Sequence, residues 1–138
     1  MKDLSNKSFC SCFSGKHYED CCLPFHQGTS APSAEKLMRS RYSAYAKQLY
    51  GYIIETTHPQ SPYYEKNREV WSKKIILFCT TTMFQGLEIL QFQENKTTAS
   101  VTFIAYLSQN DQDVSFKEKS FFEKLGKKWF YLKKLDEK

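Results

Sequence analysis

Residues 9–28 constrain this chain more than any other stretch, because they carry four of its five cysteines: Cys10, Cys12, Cys21 and Cys22. The four fall into two tight pairs, C-x-C and C-C, with eight residues between the pairs. Cysteines that close cannot easily bond to each other, since Cα separation and S–S dihedral are both specific. Two pairs brought together by one turn can instead aim four sulfurs at a common centre. That is the geometry of a closed tetrahedral zinc site, at about 2.3 Å per thiolate, with no open position for water. Iron takes the same all-thiolate tetrahedron, so the ligand set leaves zinc against iron open.

The rival reading is a pair of disulfides crossing between the two cysteine pairs, which would suit an exported protein. Met1 to Ser8 has no apolar core of the kind a signal peptide needs. The thiols are therefore expected to be reduced, and clustered reduced cysteines read as ligands. His17 and His26 stand close by. His26, four residues after Cys22, could replace one cysteine to give three thiolates and an imidazole. Four cysteines already complete the sphere, so both histidines are expected as neighbours. Lys16 and His17 would offset the negative charge of the cluster.

The stretch resembles the SEC-C motif, the zinc-binding tail of the SecA translocation ATPase. Cys10, Cys12, Ser14, Gly15, Lys16, Tyr18, Cys21 and Cys22 match it in register. Ser11 stands where that family has Pro, and Phe13 where it has Gly. Glycine there eases a tight backbone turn. The resemblance implies zinc, and it suggests an export chaperone or the ribosome as partner classes.

At 138 residues the chain has room for one core plus a small metal knuckle. The division expected is a knuckle over 1–28 and a body over 29–138. A 41% hydrophobic and 16% aromatic content excludes a disordered chain. No apolar run approaches the ~20 residues of a membrane span, so a soluble, cytoplasmic protein is expected. Formal charge is +5; four thiolates subtract four charges and a divalent cation restores two, leaving +3. That is weak support for nucleic-acid binding, and the aromatics are not interleaved with a dense basic run.

After the knuckle, 27–33 is a turn-rich linker. Ser33 reads as an N-cap with Glu35 in the first turn. Helical spacing then predicts a helix over 34–50, interrupted at Gly51, and a second short helix over 52–57 ending near His58-Pro59. A third is predicted over 63–76, with Val70 and Trp71 facing inward. From Met83 the period changes to two. Strands are predicted over 84–93, 97–108, 114–125 and 129–134, joined by turns at 94–96, 110–113 and 126–128. Ala99, Val101, Phe103, Ala105 and Leu107 alternate with polar or outward residues in the clearest of them. Short turns between successive strands give an antiparallel meander, and helices before strands give an α+β class with helices packed on one face of a curved sheet.

The body resembles the bacterial YchJ-like family. The resemblance rests on residues 31–45 (Ala-Pro-Ser-Ala-Glu-Lys-Leu-Met-Arg-Ser-Arg-Tyr-Ser-Ala-Tyr), His58-Pro59, the strand 86–90, Glu118, Ser120, Phe122 and the ending Trp129-Phe130-Tyr131. It implies a cystatin-like cone of the nuclear-transport-factor superfamily, preceded by the knuckle. Many relatives carry a second cysteine knuckle at the C-terminus, and this chain reaches Lys138 without one. Relatives also tend to have a histidine before the Glu118 position, where Lys117 stands here.

Such a cone usually encloses a pocket. Val114, Phe116, Glu118, Ser120 and Phe122 share one face by alternation, placing a carboxylate and a hydroxyl among apolar residues. Arg39, Arg41, Tyr42, Tyr45 and His58 are the other pocket candidates. The plainer expectation is an ion pair from Glu118 to Arg39 or Arg41, locking helix to sheet. His58 has a plain reading too, as a helix-end residue on the last carbonyls. Cys79, in an apolar run, reads as a buried small residue. No phosphate loop, nucleophile elbow or His-Glu-x-x-His segment occurs.

The functional expectation is a metal-binding interaction or adaptor protein whose loop, with Phe13, Lys16, His17 and Tyr18, meets a protein partner. The alternative is an enzyme or small-ligand binder using the cone pocket around Glu118. An open pocket reaching that carboxylate favours the alternative, and a closed arginine pair removes it.

Overall fold

The computed structural model describes residues 8–135. The start of the expected knuckle segment, residues 1–7, with the leader reading made on it, lies outside the described residues, as does the tail 136–138.

The N-terminal unit is a tight loop followed by two short turns of helix. An antiparallel bridge joins Phe9 to His17, and Cys10 N–H donates to Lys16 O at 2.7 Å. A 3-10 turn, Tyr18–Asp20, then leads into helix α1, Leu23–His26.

Helix α2, Ala34–Ala46, starts where Ser33 Oγ accepts from Lys36 N–H, with Glu35 in its first turn. It ends four residues before the predicted stop. Gln48 adopts φ 63°, its N–H donates to Tyr45 O, and Leu49 N–H reaches Ala44 O at 2.8 Å. This is a Schellman-type end that caps the last carbonyls without glycine. Gly51, predicted to interrupt, instead lies within helix α3, Tyr50–Glu55. Helix α4, Arg68–Thr80, begins five residues later than predicted, because Asn67 Oδ1 caps Val70 N–H while 58–64 is taken up by two tight turns. Its inner stripe is Trp71, Ile75 and Cys79; Val70, predicted inward, is exposed.

The sheet consists of β1, Met83–Glu94; β2, Thr98–Gln109; β3, Gln112–Asp113; β4, Phe116–Leu125; and β5, Lys128–Leu135. Strand order is β1-β2-β4-β5, antiparallel throughout, with β3 paired to the end of β2. The strand predicted over 114–125 starts two residues late, at Phe116, and the end of the predicted turn 110–113 forms the short β3. Asn110 and Asp111 turn the chain at φ 51° and 64°, and Ser115 Oγ then accepts from Leu107 N–H before pairing resumes at Phe116. Register shifts in β1 and between Phe121 and Phe122 bend the strands, as bulges do.

The alternation of β2 decides which face is covered. Ala99, Val101, Phe103, Ala105 and Leu107 are all buried against Leu37, Met38 and Tyr42 of α2, with Phe122 and Trp129 completing the cluster. A second cluster joins Ala44, Ile53, Ile54, Trp71, Ile75 and Cys79 among the three longer helices. Helices on one face of an antiparallel sheet give the α+β architecture predicted. Among the described residues no helix is long and apolar enough to cross a membrane.

Candidate functional site

The four knuckle sulfurs converge. Cys10 and Cys12 come from the tight loop, Cys21 and Cys22 from the junction of the 3-10 turn and α1, and all four Sγ atoms lie within 4.8 Å of one another. Cys12 and Cys21 are 3.6 Å apart, Cys21 and Cys22 3.9 Å. Bonds of about 2.3 Å to one tetrahedral ion require sulfur–sulfur edges of about 3.8 Å. The donor set therefore fits a metal ion. The crossing disulfides are not formed: all five cysteines are free.

The four sulfurs shift one another's acidity unequally. Hydrogen bonds from the Cys10 and Cys22 thiols draw Cys12 far below its ordinary 9.0. The bond to Cys12 pushes Cys10 up to about 11, and bonds to Cys10 and Cys12 push Cys22 far above the thiol range. A divalent cation at their centre would favour the ionised form of all four.

Neither histidine belongs to the sulfur group. His26 spends both ring nitrogens elsewhere: Nδ1 meets Tyr18 OH at 2.6 Å and Nε2 meets Ser40 O at 2.8 Å. Burial pulls its pKa down, so it is neutral. His17 stacks under Phe9 at 5.0 Å, and its Nδ1 is buried without a partner among the described residues.

The knuckle is stitched to α2. Arg39 Nη1 donates to Cys12 O at 3.2 Å, His26 bonds to Ser40, and Phe13 meets Tyr42 edge-on at 6.2 Å. Arg39, proposed for the pocket, thus serves this seam and its own Glu35. Phe13 has φ 63°, the left-handed conformation glycine takes most readily. Of the candidate partner residues, Phe13 and Lys16 are exposed, whereas Tyr18 is half-buried against His26 with Lys47 Nζ 4.3 Å over its ring.

The second site is a cavity of about 690 Å³ between the sheet and helices α2 to α4. Arg41, Tyr42, Tyr45, Glu118 and Ser120 all line it; Arg39 and His58 do not. His58 is buried at the other end of its segment, with Nε2 2.7 Å from Glu123 Oε1, so it is neither a pocket residue nor a cap on helix carbonyls.

The expected lock between Glu118 and an arginine does not form among the described residues. Arg41 turns Nη1 to Ile53 O, Thr56 Oγ1 and Thr57 Oγ1 at 3.1, 2.7 and 3.2 Å, and its guanidinium lies 4.8 Å from the Tyr131 ring centre. Glu118 Oε2 instead accepts from Ser120 Oγ at 2.6 Å and from Tyr131 OH at 3.3 Å. Burial and the Glu118 charge raise the Tyr131 pKa, so its hydroxyl stays protonated and can donate. Burial likewise takes Tyr42 up to about 12 and the Cys79 thiol up to about 11. Cys79 is an inert core thiol.

Residues 33–134 match the family described as YchJ, middle NTF2-like domain. The chain belongs to the YchJ family. A UPF0225 protein of Actinobacillus succinogenes is 35% identical over 130 residues, covering 91% of this chain and 80% of the relative. The solution structure of a SEC-C motif containing protein from Rhodopseudomonas palustris superposes with a TM-score of 0.80 at 33% identity, covering 94% of this chain and 98% of that one. The crystal structure of a SEC-C motif containing protein from Psychrobacter arcticus gives 0.73 at 29%, covering 89% and 79%.

Sequence reasoning missed Tyr131 in this YchJ-family chain. Its place beside Glu118 follows from the pairing of Phe122 with Tyr131, one residue past the register shift between Phe121 and Phe122. Alternation puts Trp129 and Tyr131 on one face, but no sequence signal reports the bulge that sets which β4 residue they meet. Trp71 was legible only as an inward helix position, and Tyr63 and Tyr64, which line the cavity with it, only as the start of a predicted helix.

Proposed function

We propose that this chain is a metal-binding interaction protein, with zinc held by Cys10, Cys12, Cys21 and Cys22. The observation that carries the reading is four free sulfurs within 4.8 Å of one another, in a unit whose tip leaves Phe9 and Phe13 69% and 47% exposed. Zinc would cross-link a loop and a helix start too small to hold a core of their own. The rings and Lys16 would then sit on a rigid prominence seated on α2 and offered to a protein partner. Exposed aromatics on a fixed scaffold are typical binding anchors. The likeness to the SecA tail suggests export chaperones or the ribosome as partner classes.

Elemental analysis of protein purified without chelator is expected to find one zinc per chain, and none in Cys21→Ser/Cys22→Ser. Affinity capture should recover a partner with the wild type and lose it with that variant and with Phe9→Ser/Phe13→Ser. Retention of every partner by both variants would refute the adaptor reading, and iron in place of zinc would refute the metal assignment alone.

A second reading stands beside it: the cone cavity binds a small molecule. It is favoured by a cavity of about 690 Å³, within the size range of small-ligand sites, that reaches a carboxylate not closed off by arginine.

A further inference from the structure

The lining of the cone cavity has two kinds of chemistry. The walls are mainly apolar and aromatic, with Tyr45, Tyr63, Trp71, Phe116 and Tyr131 among them. Among the cavity's charged lining residues, Arg41 and Glu118 are the most deeply set, and their surroundings treat them unequally.

One nitrogen of Arg41 is fully engaged by protein. Its Nη1 donates to the carbonyl of Ile53 in the last turn of α3 and to two threonine hydroxyls, and the guanidinium lies over the Tyr131 ring. Carbonyls at the C-terminal end of a helix and the face of an aromatic ring both favour a cation. Glu118 is only half answered. Oε2 takes both of its hydrogen bonds, from the neutral hydroxyls of Ser120 and Tyr131. Oε1 has no partner among the described residues, yet it is not among the sealed buried atoms that lack one. Since Glu118 lines the cavity, Oε1 is the carboxylate oxygen left for a molecule there. Of the other charged lining residues, Lys74 is paired with Glu65 at 3.5 Å, and Lys134, the cross-strand partner of Ser120, forms no ion pair with Glu118 among the described residues.

We propose that the cavity binds an organic cation: an apolar, preferably aromatic body carrying a protonated amine that donates to Glu118 Oε1. This rests on the reading of the cavity as a ligand site. A carboxylate in partly apolar surroundings gains a charge-assisted hydrogen bond from an ammonium, roughly twice as strong as one from a neutral donor. Aromatic walls add cation–π attraction for the ammonium and shape for the body. A carboxylate ligand would face Glu118 with like charge, and an alcohol would forgo the charge-assisted bond.

The test compares three probes of one skeleton, tryptamine, tryptophol and indoleacetate, by calorimetry at neutral pH on the full chain. Tryptamine is expected to bind at least tenfold more tightly than tryptophol, with indoleacetate weakest. Glu118→Gln should remove the advantage of the amine while leaving tryptophol affinity within about twofold. Circular dichroism and thermal unfolding establish that the variant is folded. Equal or better binding of tryptophol or indoleacetate, or an amine affinity unchanged in Glu118→Gln, overturns the cation assignment but leaves a ligand cavity. Failure of all three probes to bind overturns both.

Discussion

Arg41 and Glu118 offer a decisive measurement, because the sequence pairs them and the structure separates their partners. Replacing Arg41 by Met keeps most of the volume and removes three hydrogen bonds from a side chain only 8% exposed. Hydrogen bonds from a charged group are worth about 1.5–3 kcal/mol each, but the lost desolvation cost of the guanidinium offsets much of that. The stranded acceptors also have fallbacks, since Thr56 Oγ1 already donates to Tyr52 O and Thr57 Oγ1 to Ile53 O, both at 2.7 Å. The expected cost is about 2–3 kcal/mol. Glu118→Gln keeps an acceptor for Ser120 and Tyr131 and should cost about 1 kcal/mol or less. The double variant then separates the two accounts. With no direct ion pair, the coupling energy should stay below about 1 kcal/mol, whereas a buried pair that loses one partner typically costs about 3–5 kcal/mol. Urea unfolding followed by fluorescence of Trp71 and Trp129 supplies all four stabilities. A coupling of 3 kcal/mol or more, in the range expected of a true buried pair, would refute the assignment of Arg41 to α3.

Two further outcomes follow from the knuckle. Phe13→Gly should be more stable than Phe13→Ala by about 0.5–1 kcal/mol: both lose the ring against Tyr42, but only glycine escapes the left-handed penalty, less its own larger chain entropy. Thermal unfolding of the two variants decides it, and alanine matching glycine would mean the backbone there is not left-handed. His26 has a folded-state pKa below its ordinary 6.5, so the unfolded chain takes up the proton more readily. Stability supplied by neutral His26 is complete above pH 6.5 and is lost as pH falls below it. The wild-type decline should be shallower in His26→Gln when both are measured by denaturant titration between pH 7.5 and about 5, and identical slopes would contradict a buried neutral imidazole.

Local chemistry made much of this protein readable from its residues. Two cysteine pairs eight residues apart leave few arrangements except a four-sulfur cluster, because short-range geometry governs them. Period-two alternation from Ala99 to Leu107 set which face of β2 is buried, since a strand can cover only one side with helices. The Ser33 cap was legible for the same reason: its partner is three residues away. Long-range partners were not. Whether Arg41 would turn to Glu118 or to α3 depends on where Gln48 ends α2 and so where Ile53, Thr56 and Thr57 come to lie. That Tyr131, rather than a cation, would reach Glu118 depends on one bulge in β5, at Leu132 opposite Phe121 and Phe122. The residue types present were set by sequence, but the choice among several polar partners of nearly equal strength fell to packing. A hydrogen bond forms with whichever group the fold brings within about 3 Å.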